Sequence, residues 1–259
     1  MTSRLADAVA DIAAEAGRLA MARWRTDFRR WEKTPGNPVC EVDLAVDALL
    51  RDRLSALLPD AGWLSEETVD NADRLTKRRV WVVDPIDGTR DYLRGREGWA
   101  VSVALVESGQ PVIAVLDCPP RAAVFRAEAG QGARLNGAPI RAAMRTRLAG
   151  ARVPTEALPK VDRDLVTVYR PNSIALRIAM VACGEADLVA TLRWGHEWDI
   201  AAATLIAREA GADITDALGQ PLAFNTRSAE AFGVLATAQG LHAAAKERLR
   251  ERAEAASRR

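Results

Sequence analysis

The chain has 259 residues, 49% of them hydrophobic, and 36 basic against 35 acidic side chains leave a formal charge of +1. That balance offers no broad positive surface to a nucleic-acid polymer, while the hydrophobic content suffices for one large core or two moderate ones. Cys40, Cys118 and Cys183 are odd in number and lack metal-ligand spacing, which favours reduced thiols and a cytoplasmic protein over a disulfide scaffold. Asp7, Asp11 and Glu15 interrupt the apolar residues of the amino terminus, unlike a signal peptide, and no segment has transmembrane length, so no membrane association is expected.

Leu5, Ala8, Val9, Ile12, Ala16, Leu19, Ala20 and Trp24 recur at helical spacing and predict an amphipathic helix over residues 3 to 26. After the turn-rich TPGNP at 34–38, Leu44, Leu49, Leu50, Leu54, Leu57 and Leu58 mark a second helix ending near Pro59. Strands are expected at 80–83, 100–106 and 111–117, the last two joined by Ser108, Gly109 and Gln110 as a hairpin. Asn136-Gly137 signals another tight turn, and the Arg-rich, Pro-containing stretch 141–160 has no periodicity, which makes it the candidate boundary between units 1–145 and 146–259. Beyond it come a helix at 173–183, a strand at 186–191, a helix at 199–211 and a strand at 231–236. The charged terminal stretch lacks apolar periodicity and reads as a solvated or fraying helix. The whole is an α/β chain, an α+β amino-terminal half followed by an α/β carboxy-terminal half.

The chemistry concentrates in WVVDPIDGTRDY, residues 81–92. Trp81, Val82 and Val83 end a buried strand, which should stop at Asp84 because Pro85 has no N–H for the ladder. The turn can then aim Asp84, Asp87 and the Ile86 carbonyl at one point, an all-oxygen set suited to Mg²⁺. A helix starting near Thr89 would offer free N–H groups at Gly88 and Thr89 to a phosphate. Three other segments carry acids: GWLSEET with Glu66 and Glu67, PVCEVDLAVD with Asp43, and HEWDIAAATLIAREAGA with Asp199. Adjacent carboxylates on extended chain point to opposite sides, so only one of Glu66 and Glu67 can face a metal. Taken alone, Asp43 and Asp199 are helix caps.

Together these segments resemble the inositol monophosphatase superfamily of Mg²⁺-dependent, lithium-sensitive phosphomonoesterases, whose motifs look like GEE(S/T), DPIDGT and WD followed by a small-residue helix. The resemblance runs from about Lys33 to Leu222, with Ser65 standing where the first motif usually has Gly. It implies an alternating α and β layered sandwich with the site between the halves. It further implies that Glu66, Asp84, Ile86 through its carbonyl, Asp87 and Asp199 are ligands of Mg²⁺, two or three ions, which Mn²⁺ can replace. Thr89 would touch the nucleophilic water, Asp43 would hydrogen-bond Thr89, and Glu67 would stand behind the ligands. A homodimer is the implied assembly.

Phosphate-ester hydrolysis needs an activated water and a stabilised leaving oxygen, and paired metals supply both. A threonine hydroxyl must pass its proton on, and Asp43 is the expected acceptor. Inositol-specific members typically carry a Glu seven residues before the WD aspartate, where this chain has Leu192. The run EWDIAAA and Arg90 after DPIDGT look instead like the 3′(2′),5′-bisphosphate nucleotidase branch, and Arg90, Arg94, Arg96, Arg170 and Arg193 are candidate contacts to a second phosphate. Inositol 1-phosphate, histidinol phosphate and fructose 1,6-bisphosphate are the competing substrates. His196 is a candidate for the pocket wall, and most of the seven tryptophans are expected in packing. A binding or regulatory protein of the same fold is the non-enzymatic alternative, against which stands the intact set Glu66, Asp84, Asp87, Thr89 and Asp199.

Overall fold

The computed structural model describes residues 2–258. The elements begin α1 (Thr2–Arg23), β1 (Arg30–Thr34), β2 (Asn37–Cys40), α2 (Glu41–Leu57), β3 (Gly62–Ser65), β4 (Arg79–Asp87) and α3 (Thr89–Leu93). They continue β5 (Ala100–Glu107), β6 (Gln110–Cys118), β7 (Ala123–Glu128), β8 (Ala133–Leu135), β9 (Ala138–Ile140), β10 (Arg152–Pro154) and β11 (Val166–Val168). The chain closes with α4 (Ile174–Ala182), β12 (Leu188–His196), α5 (Ala201–Glu209), β13 (Asp213–Thr215), β14 (Glu230–Thr237) and α6 (His242–Ser257).

A seven-stranded sheet of order β3-β4-β5-β6-β7-β8-β9 forms the centre, antiparallel except where β3 runs beside β4. Its middle strands are apolar on both faces because both are covered. Trp81, Val83, Val101, Val103, Leu105, Ile113 and Val115 share a core with Val9, Ala13, Ala16 and Ala20 of α1 and with Val46, Leu50 and Leu54 of α2. The alternate residues Val80, Val82, Ala104, Val106, Ala114 and Leu116 pack with α4 and α5, whose Ala175, Ala179, Ala202 and Ala203 let helix and sheet approach closely. Period-two alternation thus distributes each strand between two cores, and each large side chain so buried contributes about 1.5–3 kcal/mol. One of these cores runs from Leu64 to Ala236 and draws on residues either side of 145.

A three-stranded antiparallel sheet, β12-β14-β13, covers the far side of α4 and α5, giving an α-β-α-β sequence of layers that α6 completes. The terminal helix is not a solvated tail. Ala245, Leu249 and Ala253, four residues apart, are buried in it, and Arg248 and Arg252 clamp Asp164 and Asp162. Their i, i+4 spacing makes a stripe only one side chain wide, which the flanking charges hide in the sequence.

The expected turns form where the backbone needs positive φ. Ser108 (φ 50°) and Gly109 (φ 81°) close the β5–β6 hairpin, as Asn136 (φ 50°) and Gly137 (φ 82°) close β8–β9, in the sense that matches strand twist. The expectation that β4 ends at Asp84 is corrected. Asp84 pairs with Ser102 and Asp87 with Ala100, so Pro85 and Ile86 form a bulge and pairing resumes at Asp87. A bulge leaves a residue outside the ladder, which is where a proline is tolerated, and it re-aims the side chains around it.

Candidate metal centre and active site

The β4 bulge sits at the carboxyl end of a buried strand beside the end of β3, and it brings the first acids together. Glu66 follows β3 directly, its N–H donating to the Val83 carbonyl at 3.3 Å. Asp199 arrives from the second half, between β12 and α5. One carboxylate oxygen from each of Glu66, Asp84 and Asp199 lies within 4.8 Å of the others. Asp84 is 1% exposed. Burial first, and then the charges of Glu66, Asp87 and Asp199, push its carboxyl well above the ordinary range, and Asp199 is pushed up in the same way by burial, Asp87 and Glu66. Of the three only Asp84 is fully buried, and carboxylates this close repel one another unless a cation stands among them; an all-oxygen donor set at this spacing fits Mg²⁺.

Neither Asp43 nor Asp199 is a simple cap. Asp199 precedes α5, and its Oδ2 accepts the His196 N–H at 3.3 Å rather than a bond from the helix start. Asp43 divides its oxygens. Oδ2 accepts the Cys40 N–H at 2.8 Å at the start of α2, while Oδ1 lies 3.3 Å from the Thr89 hydroxyl. That hydroxyl is also 3.0 Å from the Ile86 carbonyl. Burial, opposed by the Cys40 bonds, pushes Asp43 up to about 6, a value suited to accepting a proton near neutrality. Gly88 stands at φ 96°, where a Cβ would lie 2.6 Å from the Gly98 carbonyl and 2.9 Å from the Ser173 nitrogen. Only glycine lets β4 turn into α3 against these neighbours, and the first N–H groups of α3 have no acceptor within the helix.

Asp87 lines the same cleft but stands outside the three-acid group. Its Oδ2 accepts the Ser173 hydroxyl at 2.5 Å and the Ala175 N–H at 2.8 Å, and its Oδ1 the Ile174 N–H at 3.3 Å, so it also anchors the start of α4. Glu66 lines the cleft and Glu67 does not. Lys33, on the β1–β2 hairpin, donates to Glu67 at 2.7 Å and to Glu66 at 3.2 Å. Burial pushes Glu67 up to about 7 against the attraction of Lys33. Ser65, which replaces the glycine of the motif, donates from its hydroxyl to Asp47 Oδ1 at 2.5 Å, and Thr68 holds Asp47 Oδ2 at 2.7 Å, pinning the acidic loop to α2.

Arg90 and Arg193 line the cleft, and Arg90 also donates to the Gly36 carbonyl of the hairpin. Arg94 and Arg96 are exposed and outside it, and Arg170 lines a neighbouring cavity. The His196 ring is not among the lining groups; it stacks on Trp198 with centroids 4.3 Å apart. Trp24, Trp81 and Trp99 are packing residues in the α1–α2 core, whereas Trp31 is 43% exposed. Sequence reasoning missed Lys33, Asn172, Ser173 and Arg177. Each reaches the site from a distant segment, and none falls in an acidic motif; the one available signal for Ser173 was a serine immediately before an apolar helix.

The model of the inositol monophosphatase family matches residues 1–258. The chain is 39% identical over 194 residues to a Nus factor SuhB of Xylella fastidiosa, covering 69% of each chain. It is 30% identical over 241 residues to a 3′(2′),5′-bisphosphate nucleotidase CysQ of Aggregatibacter actinomycetemcomitans, covering 88% of this chain and 90% of that one. An IMPase structure from Thermotoga maritima superposes with a TM-score of 0.82 at 27% identity, covering 95% of this chain and 97% of that one.

Proposed function

The chain belongs to the inositol monophosphatase family, and on that premise we propose that it is a Mg²⁺-dependent phosphomonoesterase acting on a small phosphorylated metabolite, a 3′(2′),5′-bisphosphate nucleotide before inositol 1-phosphate. The convergence of Glu66, Asp84 and Asp199 beside Thr89 carries the hydrolytic reading. These three, with Asp87 and the Ile86 carbonyl, would hold the metal. Mg²⁺ held there would supply the Lewis-acid chemistry that activates water and steadies a leaving oxygen. Thr89 orients the attacking water through its hydroxyl, and Asp43 takes the proton that Thr89 releases. Gly88 and the first turn of α3 present N–H groups to the phosphoryl oxygens.

For the substrate, Leu192 stands seven residues before Asp199, where the resemblance leads one to expect a Glu that binds a sugar hydroxyl, and its side chain lines the neighbouring apolar cavity rather than the cleft, packed against Leu148, Leu188 and their neighbours. A polyol therefore loses an anchor, which supports the nucleotide over inositol. Phosphate release should require Mg²⁺, stop with EDTA, fall with lithium, and favour adenosine 3′,5′-bisphosphate over inositol 1-phosphate, histidinol phosphate and fructose 1,6-bisphosphate. A preference for inositol 1-phosphate would overturn the substrate assignment, and no metal-dependent release from any of the four would overturn the hydrolase. The same proposal includes a cytoplasmic homodimer, which light scattering tests; among the described residues, no helix is long and apolar enough to cross a membrane.

A further inference from the structure

Two residues before Asp199, Glu197 is fully buried and spends its whole carboxylate on one turn of the chain. Oε2 accepts the Asn225 N–H at 2.6 Å, and Oε1 accepts the Thr226 N–H at 2.9 Å and the Thr226 hydroxyl at 2.5 Å. Its backbone is fixed as well: the Glu197 N–H donates to the Ala229 carbonyl at 3.0 Å, and the Glu197 carbonyl accepts the Ala201 N–H at 2.9 Å at the start of α5. A buried carboxylate is costly unless donors surround it, and every one of these side-chain bonds is one that it accepts. Glu197 is no part of the cleft wall.

The turn that Glu197 grips is held from its other side by the first half of the chain. Arg74 is 2% exposed in the short helical turn Ala72–Thr76, and its Nη1 donates to Asn225 Oδ1 at 2.7 Å and to the Thr226 carbonyl at 2.9 Å. Asn225 Nδ2 returns a bond to the Arg74 carbonyl at 3.1 Å, from a left-handed backbone at φ 58° that asparagine tolerates. The rest of the guanidinium fork closes on Asp70, Nε to Oδ1 at 2.6 Å and Nη2 to Oδ2 at 2.9 Å. Asp70 stands four residues after Glu66. An unbroken chain of hydrogen bonds thus runs from Asp70 through Arg74 and the 225–226 turn to Glu197, and it joins the segment that carries Glu66 to the segment that carries Asp199.

We propose that Glu197 and Arg74 are positioning residues that fix Asp199 against Glu66, and so set the affinity of the centre for a divalent cation without touching it. This rests on the reading of those acids as metal ligands. Glu66 and Asp199 repel each other and come from different halves of the chain, so a site of fixed spacing needs its two segments tied together. Bonds to charged groups in buried surroundings are the strong ones, and both ends of this clasp are charged. A clasp that served stability alone would move the melting temperature and leave cation affinity where it is.

Calorimetric titration with Mg²⁺ tests the clasp. Glu197→Gln keeps the shape but turns an amide NH₂ toward an N–H donor, and Arg74→Lys loses the fork while leaving the donors to Glu197 in place; each should raise the Kd for Mg²⁺ about tenfold. Thr226→Val should weaken binding and Thr226→Ser should keep it, because the hydroxyl is what reaches Glu197. The control is Asp187→Asn, which breaks a comparable buried carboxylate clasp with Arg152, bonded at 2.9 and 2.7 Å outside the cleft, and should lower Tm without moving the Kd. In phosphate release, the Mg²⁺ concentration giving half the maximal rate should rise with the Kd, while kcat at saturating Mg²⁺ stays within about twofold of the wild type. Unchanged Mg²⁺ affinity in Glu197→Gln and Arg74→Lys, or an equal loss in Asp187→Asn, overturns the proposal. Should Glu197→Gln not fold, Arg74→Lys and the Thr226 pair decide. A wild type that binds Mg²⁺ but releases no phosphate leaves the clasp standing on calorimetry and removes the hydrolase; one that binds no Mg²⁺ overturns both.

Discussion

Replacing Asp84 by Asn should make the metal-free protein more stable and the metal-loaded protein less so. The Asp84 carboxylate is almost fully buried, with its nearest oxygens within 4.8 Å of Glu66 and Asp199. At that distance and an effective dielectric near 20, each like-charge pair costs about 3 kcal/mol. Burial, and then this repulsion, push the carboxyl well above its ordinary value, so the apo protein relieves part of the cost by holding a proton. A neutral Asn of nearly the same shape keeps the acceptor for the Ile86 N–H, now 3.0 Å from Asp84 Oδ1, and removes the repulsion. At mildly alkaline pH in EDTA the variant should therefore gain on the order of 3 kcal/mol, which is roughly 6–12 °C in Tm for a chain of this size. Saturating Mg²⁺ reverses the order: a ligand at a thousand times its Kd adds about 4.1 kcal/mol to the wild type and almost nothing to a variant that has lost a charged ligand. Differential scanning fluorimetry with EDTA and with Mg²⁺ reads both effects. An Asp84→Asn protein that melts below the wild type in EDTA, or gains as much from Mg²⁺, would refute the idea that these acids are strained together for a metal.

Gly88→Ala should cost about 2 kcal/mol or more in urea unfolding and most of the turnover, since the new methyl meets the Gly98 carbonyl and the Ser173 nitrogen at a positive φ; full activity would show that the turn adapts. Asp43→Asn should lower kcat about a hundredfold at saturating Mg²⁺ while leaving the far-ultraviolet circular dichroism unchanged, and unaltered kcat would remove Asp43 from the proton path. Away from the site, burial pushes Asp117 up to about 6 against the attraction of Arg18. The folded state then binds its proton more tightly than the unfolded state, so this group destabilises progressively as pH rises from about 4 to about 6. Asp117→Asn should gain on the order of 3 kcal/mol at neutral pH and nearly nothing near pH 4; an equal gain at both would place its origin in packing rather than ionisation.

Local chemistry was legible where a short stretch carries both the signal and its consequence. Trp81 to Thr89 announced a strand, two acids and a helix start at Thr89, and each is found, because hydrophobic burial and helix initiation act on neighbours in the chain. The error at Pro85 came from treating the missing N–H as the end of a strand when a bulge absorbs it. The α6 stripe was hidden because three small or medium apolar residues hold it down while arginines occupy its flanks.

By itself the sequence determined the main helices, the central strands and the identity of the acids, since these follow from periodicity and from side-chain chemistry. Tertiary structure alone decided which groups face one another. Lys33 reaches Glu66 and Glu67, Ser173 binds Asp87 and Arg74 binds the 225–226 turn that holds Glu197, and such meetings depend on register and layer packing across more than a hundred residues. Electrostatic energy falls with distance in space rather than along the chain, so the charge balance of the cleft became readable only once the layers had closed around it.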